Sequence, residues 1–115
     1  MRIGVTGGRK YANLDKIYET LRLFDNAPIG GNTLVVGDAT GADALASGIV
    51  SEQFYWNQER FVADWTRYGL AAGPRRNREM VDSGLDVLIA FPGGKGTEDM
   101  KTKARQAGIL VLEVS

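Results

Sequence analysis

The sequence lacks cysteine and histidine entirely across its 115 residues. The absence of cysteine excludes disulfides, thiolate nucleophiles and cysteine-based zinc sites. The absence of histidine excludes Ser-His-Asp triads, HExxH zinc sites and acid–base catalysis by imidazole. Any catalysis must therefore rest on carboxylates, lysine, arginine, tyrosine, serine or threonine, on backbone dipoles, or on a hard metal ion.

An excess of charge of one sign and long apolar segments are missing too. Fourteen Lys and Arg residues balance fourteen Asp and Glu residues, so the formal net charge is zero. Because domains that bind nucleic acid are usually strongly basic, this balance argues against a nucleic-acid partner. No apolar run approaches the roughly 20 residues that span a bilayer, and the first residues lack the pattern of a signal peptide. We therefore expect a cytoplasmic protein that forms one domain over residues 1–115 and has no membrane partner.

Short apolar segments alternate with segments of helical periodicity along the chain. Strands are predicted at Arg2–Thr6, Thr33–Val36, Arg60–Ala63, Asp86–Phe91 and Ile109–Val114. Helices are predicted after Asn13, after Gly41, from Pro74 to Gly84 and from Thr97 to Gly108, with a turn at residues 28–32 and a loop at residues 64–73. This alternation indicates a five-stranded parallel sheet covered by helices on both faces. We expect a Rossmann-like three-layer α/β/α fold with strand order 3-2-1-4-5.

Glycine is the abundant residue, since 15 glycines make up about 13% of the chain against an average of roughly 7%. Many of them lie in the loops after the first, second and fourth predicted strands, at Thr6–Lys10, Gly37–Asp43 and Pro92–Thr97. In a doubly wound sheet, ligands bind beyond the carboxyl ends of the strands where the strand order reverses. Glycine there lets backbone N–H groups and helix N-termini approach an anion. Phosphate is therefore the expected ligand group. The carboxylates of Asp38 and Asp43 suit ribose hydroxyls, an amino group or a hydrated metal ion. Alternatively, each loop is only a tight strand-to-helix turn.

Basic, amide and aromatic side chains near the third predicted helix are further candidates. Arg75 and Arg76 follow a Gly-Pro turn at the predicted helix start, where they either form a guanidinium fork on phosphate or belong to a solvated basic face. Asn77 either hydrogen-bonds a base or caps a loop. Trp65 and Tyr68 either stack on a base or fill the core beneath the long loop.

These segments together supply the candidate ligand-binding residues. They are Thr6, Gly7, Gly8, Arg9, Gly37, Asp38, Thr40, Gly41, Asp43, Arg75, Arg76, Asn77, Pro92, Gly93, Gly94, Gly96 and Thr97. No standard nucleotide fingerprint accompanies them, because the sequence contains neither a Walker motif nor GxGxxG. The sequence assigns no metal ligand and no catalytic residue.

Five short segments stand in a fixed order along nearly the whole chain. They are Val5–Arg9, Gly37–Asp43, Ala63–Trp65, Ala72–Asn77 together with Met80, and Ala90–Thr97. Together they resemble the SLOG superfamily, which includes LOG, DprA-type and molybdenum-cofactor-carrier proteins, and most of all its small YspA/YpsA-related members. The resemblance implies a Rossmann-like fold that binds a nucleotide or a nucleotide-derived ligand. It also implies a homodimer or higher homo-oligomer, for which Tyr55 and Trp56 are candidate contacts.

One position departs from the LOG pattern. The LOG motif PGGxGTxxE ends in a glutamate, and this sequence has Met100 at that place. Because a thioether cannot stabilise the positive charge that develops on a ribosyl ring, we expect a binding module, which would act as a sensor, carrier or sequestering protein. Two alternatives stay open. One is a nucleotide-processing enzyme that uses Asp or Glu, with or without Mg²⁺, and the other is a DprA-like module for single-stranded DNA.

Overall fold

A computed structural model describes residues 1–26 and 31–115, so residues 28–30 of the predicted turn lie outside the described residues. The strands are β1 (Arg2–Thr6), β2 (Thr33–Gly37), β3 (Asn57–Phe61), β4 (Val87–Ala90) and β5 (Leu110–Glu113). The α-helices are α1 (Leu14–Arg22), α2 (Ala42–Ile49), α3 (Trp65–Tyr68), α4 (Ala72–Asp82) and α5 (Lys95–Gln106). A π-helical turn at Val50–Phe54 extends α2, and a 3₁₀ turn at Gly69–Ala71 joins α3 to α4.

The five strands form one parallel sheet in the order β3-β2-β1-β4-β5, which confirms the predicted topology. Ile3 of β1 lies opposite Leu34 of β2 on one side and Val87 of β4 on the other. The chain therefore winds in one direction from β1 to β3 and in the other from β4 to β5. The strand order reverses between β1 and β4, where an open α/β sheet leaves a crevice at its carboxyl edge.

Two apolar clusters hold the helices on opposite faces of the sheet, so the three-layer arrangement is also confirmed. On one face, Ile17 of α1 and Ala46 of α2 are fully buried against β1, β2 and β4. On the other face, Met80 of α4 and Met100 of α5 pack with Leu88. The central strands are buried on both faces, which is why they are short continuous apolar runs. No helix among the described residues combines the length and hydropathy of a membrane-spanning segment.

The third strand begins and ends earlier than predicted, at Asn57–Phe61 instead of Arg60–Ala63. Tyr55 adopts a left-handed conformation (φ 56°) that ends the π-helical turn and redirects the chain into β3. The strand lies at an edge of the sheet and is mostly polar, so it has no apolar run to reveal it. Trp56, one of the two candidate oligomer contacts, is buried, and its indole N–H donates to Asp25 at 2.8 Å, so its prediction as a surface contact is wrong. The other candidate, Tyr55, is exposed.

The helices after β3 and β4 also differ from prediction, and α4 begins at Ala72, two residues before the predicted start at Pro74. Part of the loop predicted over residues 64–73 is helical: Asp64 accepts a hydrogen bond from the Arg67 N–H at 3.0 Å and caps α3. A one-turn helix is too short to show an apolar period, but the aspartate at its start is a capping signal. At α5 the N-cap is Gly94, so the helix begins at Lys95, two residues before the predicted start at Thr97.

Candidate ligand-binding site

A cavity of about 970 Å³ opens at the carboxyl edge of the sheet, between the loops that follow β1 and β4 and the N-terminal half of α4. Its volume lies within the usual range for small-molecule sites, roughly 300–1,000 Å³. The structure brings twelve of the predicted residues to its lining. They are Thr6, Gly7, Gly8, Arg9, Asp43, Arg76, Asn77, Pro92, Gly93, Gly94, Gly96 and Thr97.

The floor of the cavity is made where the two glycine loops meet backbone to backbone. The Gly8 N–H donates to the Pro92 carbonyl oxygen at 2.8 Å. A Cβ at Gly93 would lie 2.7 Å from the Gly8 nitrogen and would also strike Thr97, and a Cβ at Gly7 would lie 2.6 Å from the Ala42 Cβ. Glycine at these positions is therefore needed for packing, as the tight-turn interpretation expects.

Gly94 and Gly96 behave differently, because no atom of residues 1–26 and 31–115, apart from the adjoining backbone, lies within 4 Å of a Cβ built on either residue. Both line the cavity, and neither has a positive φ. Packing therefore does not require glycine at these two positions. Gly96 lies inside α5, where glycine costs up to about 1 kcal/mol of stability relative to alanine. What the missing side chains do provide is free space in front of the first turn of α5.

The first turn of α5 presents backbone donors to that space. Gly94 is its N-cap and makes no side-chain cap hydrogen bond. The N–H groups at the start of a helix have no intrahelical partner, and they carry the positive end of the helix dipole. An anion placed before Gly96 would meet donors that no side chain in the described part of the chain satisfies.

Cationic side chains surround the same opening. Arg9, Lys10 and Lys95 line the cavity and are exposed, and none has an ion-pair partner within residues 1–26 and 31–115. Arg76, by contrast, is committed to Asp38 at 2.7 Å. The mouth of the cavity thus has uncompensated positive charge although the whole chain is neutral.

A chain of hydrogen bonds runs from the loop after β2, through α4, to α5. Arg76 donates from Nη1 to Asp38 at 2.7 Å and from Nε to the Asn77 Oδ1 at 3.1 Å. The buried Asn77 donates from Nδ2 to the Gly96 carbonyl oxygen at 3.2 Å and to Asp99 at 3.0 Å. Asn77 thereby holds the first turn of α5 in place. Asp99 adds to the lining a carboxylate that was not among the predicted ligand-binding residues.

Asp43 places a nearly buried carboxyl group in the cavity wall at the start of α2. Burial raises its pKa from the ordinary 3.8 to about 6, although the nearby Arg76 guanidinium and a hydrogen bond from the Ala39 N–H favour the ionised form. The neighbouring Asp38 raises the pKa further. The group therefore changes its charge close to neutral pH.

Five predicted residues lie behind the lining and support it. Gly37 passes beneath the Arg76 side chain, which leaves no room for a Cβ, and Asp38 pairs with that arginine and accepts a hydrogen bond from the Ala63 N–H at 3.3 Å. Thr40 and Gly41 hold the Gly8–Arg9 backbone, with the Thr40 hydroxyl donating to the Arg9 carbonyl oxygen at 3.1 Å. Arg75 stacks on the Tyr68 ring at 4.0 Å, outside the lining.

The apolar wall comes from the segment predicted as a loop. Trp65 is 44% exposed and lines the cavity, so it does not fill the core. The Arg9 guanidinium lies over its ring at 5.5 Å. Leu70 and Pro74 line the same side, and Leu70 has no helical period that could have revealed it. Tyr11 also lines the cavity, and its buried hydroxyl has no hydrogen-bond partner within the described ranges.

Comparison with known proteins identifies a phage relative. The chain is 36% identical over 117 residues to the Gene 61 protein of Mycobacterium phage D29, and the alignment covers 96% of this chain and 94% of the phage protein. No family model matches the sequence. The chain belongs to the family of this phage protein.

Proposed function

We propose that this member of the Gene 61 protein family binds a nucleotide or a nucleotide-derived ligand and acts as a sensor, carrier or sequestering module. The observation that carries the proposal is the first turn of α5, where Gly94 and Gly96 leave open space in front of uncapped N–H groups. Phosphate is the anion that such helix starts commonly bind. Arg9, Lys10 and Lys95 add charge of the required sign at the same opening.

The remaining walls suit the other parts of a nucleotide. The indole of Trp65 offers a flat apolar surface for a base, provided that the Arg9 guanidinium now over it turns toward the phosphate. Asp43 supplies a carboxyl group for a ribose hydroxyl or an amino group. The Tyr11 hydroxyl supplies a buried polar group that the described protein atoms leave without a partner.

Membership of the SLOG superfamily is part of the same proposal. The strand order agrees with a Rossmann-like relative. In addition, the segments Val5–Arg9, Ala72–Asn77 and Ala90–Thr97, which carry the resemblance, all contribute residues to one cavity. Their convergence on one site supports a shared ligand class.

Binding without turnover is favoured by the loss of the LOG glutamate, whose place is taken by Met100. Met100, at the place of the LOG glutamate, is fully buried against the sheet and does not line the cavity, so it offers a ligand neither a charge nor a polar contact. Glu98 is exposed and pairs with Lys101 at 2.7 Å. Asp43 and Asp99 are the carboxylates in the lining, and no group of three or more acidic residues in the described part of the chain forms a metal site.

Mass spectrometry of small molecules released by denaturing the purified protein tests the proposal directly, followed by calorimetry with a panel of nucleotides. A ligand at 100 times its dissociation constant is expected to stabilise the fold by about 2.7 kcal/mol. If no nucleotide binds and none is released, the proposal fails. Chromatography of the same mixtures for free base or phosphate would reveal turnover. Turnover would show that the protein is an enzyme, with Asp43 or Asp99 as the carboxylate that it uses.

Gly96→Ala is expected to separate ligand binding from stability. Because the described residues leave open space around the new Cβ and alanine favours a helix, the free protein should be unchanged or stabilised by up to about 1 kcal/mol. The methyl group nevertheless occupies the space before the α5 N-terminus, so nucleotide affinity should fall at least about tenfold. Gly48→Ala is the matched control, because Gly48 also has open space in a helix but lies outside this cavity. Equal affinity of both variants would place the phosphate elsewhere.

Arg9→Ala is expected to weaken nucleotide affinity by about tenfold or more, because a charge-assisted hydrogen bond contributes roughly 1.5–3 kcal/mol. The loss should shrink as salt is raised, since an exposed charge is screened. Arg78→Ala is the control: Arg78 is an exposed arginine of α4 that does not line the cavity. Calorimetry at two salt concentrations measures both variants, and an equal loss in both would mean that only overall charge matters.

A further inference from the structure

Strand β5 leaves apolar side chains exposed at one edge of the sheet. Side chains of a strand alternate between its faces, and Val111 packs in the cluster with α4 and α5 while Val114 packs on the opposite cluster. Leu110 and Leu112 therefore share the face of Val114. They are 60% and 37% exposed, so the apolar cluster on that face does not extend far enough to bury them.

The backbone of the same strand is open on its outer side. The Val114 N–H donates to the Ala90 carbonyl oxygen of the β4 segment at 2.8 Å. Since alternate residues of a strand turn their backbone groups to the same side, Leu110 and Leu112 also bond toward β4. The N–H and C=O groups of Val111 and Glu113 then point away from the sheet, which ends at β5.

The two edges of this sheet differ in how they are protected. At the β3 edge, exposed polar residues including Asn57, Gln58 and Arg60 discourage pairing with another strand. At the β5 edge, the charged residue is Glu113, and it is neutralised within its own chain by Lys101 at 2.6 Å and Arg105 at 2.8 Å. A second β5 strand would therefore approach without charge repulsion.

We propose that β5 pairs antiparallel with β5 of a second copy of this chain, across a two-fold axis at Leu112. In this register Val111 lies opposite Glu113 of the second copy, and each such pair exchanges both of its free backbone hydrogen bonds. Residues that face each other in an antiparallel pair lie on the same face, so Leu112 meets Leu112 of the second copy and Leu110 meets Val114. The exposed leucines are thereby covered and the sheet becomes continuous.

A second copy fits this edge because the strand is complementary to itself. Its apolar residues stand symmetrically about Leu112, with Leu110 and Val114 on one face. The outward backbone groups at Val111 and Glu113 are equally symmetric. The strand is only four residues long, so the contact is small and the dimer should dissociate on dilution.

Sedimentation velocity over a wide range of protein concentration tests this assembly. We expect the wild type to shift from monomer to dimer with rising concentration, while Leu112→Lys and Leu112→Glu each stay monomeric because like charges meet at the axis. An equimolar mixture of the two variants should dimerise again, since lysine then faces glutamate. A merely misfolded variant would not be rescued in this way. Leu23→Lys, at a 77% exposed residue at the end of α1, should dimerise like the wild type.

Amide hydrogen exchange provides the second readout, because the Val111 and Glu113 N–H groups should gain protection as concentration rises. A wild type that stays monomeric at every concentration would overturn the proposal, and so would folded Lys and Glu variants that do not associate when mixed. Nucleotide binding by the Leu112 variants is expected to be unchanged, since this edge lies outside the cavity lining. The dimer and the proposed ligand therefore fail or succeed independently.

Discussion

Gly41→Ala is expected to lower the free energy of unfolding by about 2–6 kcal/mol, because two separate costs add at this position. Gly41 has φ 73° and ψ −128°, a conformation that residues with a Cβ adopt only at a cost of roughly 1–3 kcal/mol. The new methyl group would also lie 2.6 Å from the Arg9 carbonyl carbon and closer still to the Gly8 oxygen. Such overpacking costs a further 1–3 kcal/mol or so.

Gly108→Ala separates the two costs. Gly108 also has a positive φ, 77°, but apart from its chain neighbours no described atom lies within 4 Å of its added Cβ. Its replacement should therefore cost only a conformational part, about 1–2 kcal/mol for a residue with a Cβ at positive φ. Urea unfolding of both variants measures the difference. Equal losses would show that the loop after β1 moves aside freely, and the cavity floor would then be less rigid than the Gly8 and Gly41 contacts indicate.

The glycines also show where sequence reasoning reaches its limit. The apolar runs of β1 and β4 and the glycine loops after them predict the fold and the edge where the cavity lies. The sequence, however, does not distinguish Gly41 from Gly96. The backbone conformation requires glycine at position 41 but not at position 96. Only φ and the neighbouring atoms distinguish the two positions.

Adjacent arginines illustrate the same limit on a helix. Arg75 and Arg76 are predicted as one basic pair, but successive residues of an α-helix point about 100° apart. Arg76 therefore reaches Asp38 and the cavity, whereas Arg75 lies over the Tyr68 ring. The ring of Tyr68 belongs to α3, a helix of four residues that has no period to detect. Which arginine faces the cavity follows from a helix boundary that the sequence pattern does not fix.

Asp43→Asn is expected to stabilise the free protein at pH 7 by about 3 kcal/mol. The folded pKa of Asp43 is about 6 and its ordinary value is 3.8, and each unit corresponds to about 1.4 kcal/mol. Above pH 6 the folded protein must hold this carboxylate ionised where it is largely desolvated. Asparagine keeps the shape and an oxygen for the Ala39 N–H but carries no charge. Asp38→Asn is the control of opposite sign, because it breaks the ion pair with Arg76.

The pH dependence gives the sign of this effect independently. Because the folded state binds its proton more tightly than the unfolded state, the wild type should lose stability as pH rises from about 4 to 6, and the loss should level off above that range. Below about pH 4 both states are protonated and the wild type and Asp43→Asn should unfold alike. Urea midpoints measured for both proteins across this range would contradict the assignment if their difference were the same at every pH.

Stability gained by Asp43→Asn has a consequence for the proposed site. A buried carboxyl that weakens the fold at neutral pH is expected to persist only where its charge or its proton is used, and Asp43 lines the cavity beside Arg76. Asp43→Asn should therefore bind nucleotide more weakly than the wild type, although it is the more stable protein. Calorimetry at pH 7, where the wild-type carboxyl is mostly ionised, and again at pH 5, where it is mostly protonated, distinguishes the two forms. If the ligand uses the carboxylate, the wild type should lose affinity toward pH 5 and approach the variant; unchanged affinity at both pH values would remove Asp43 from the ligand contacts.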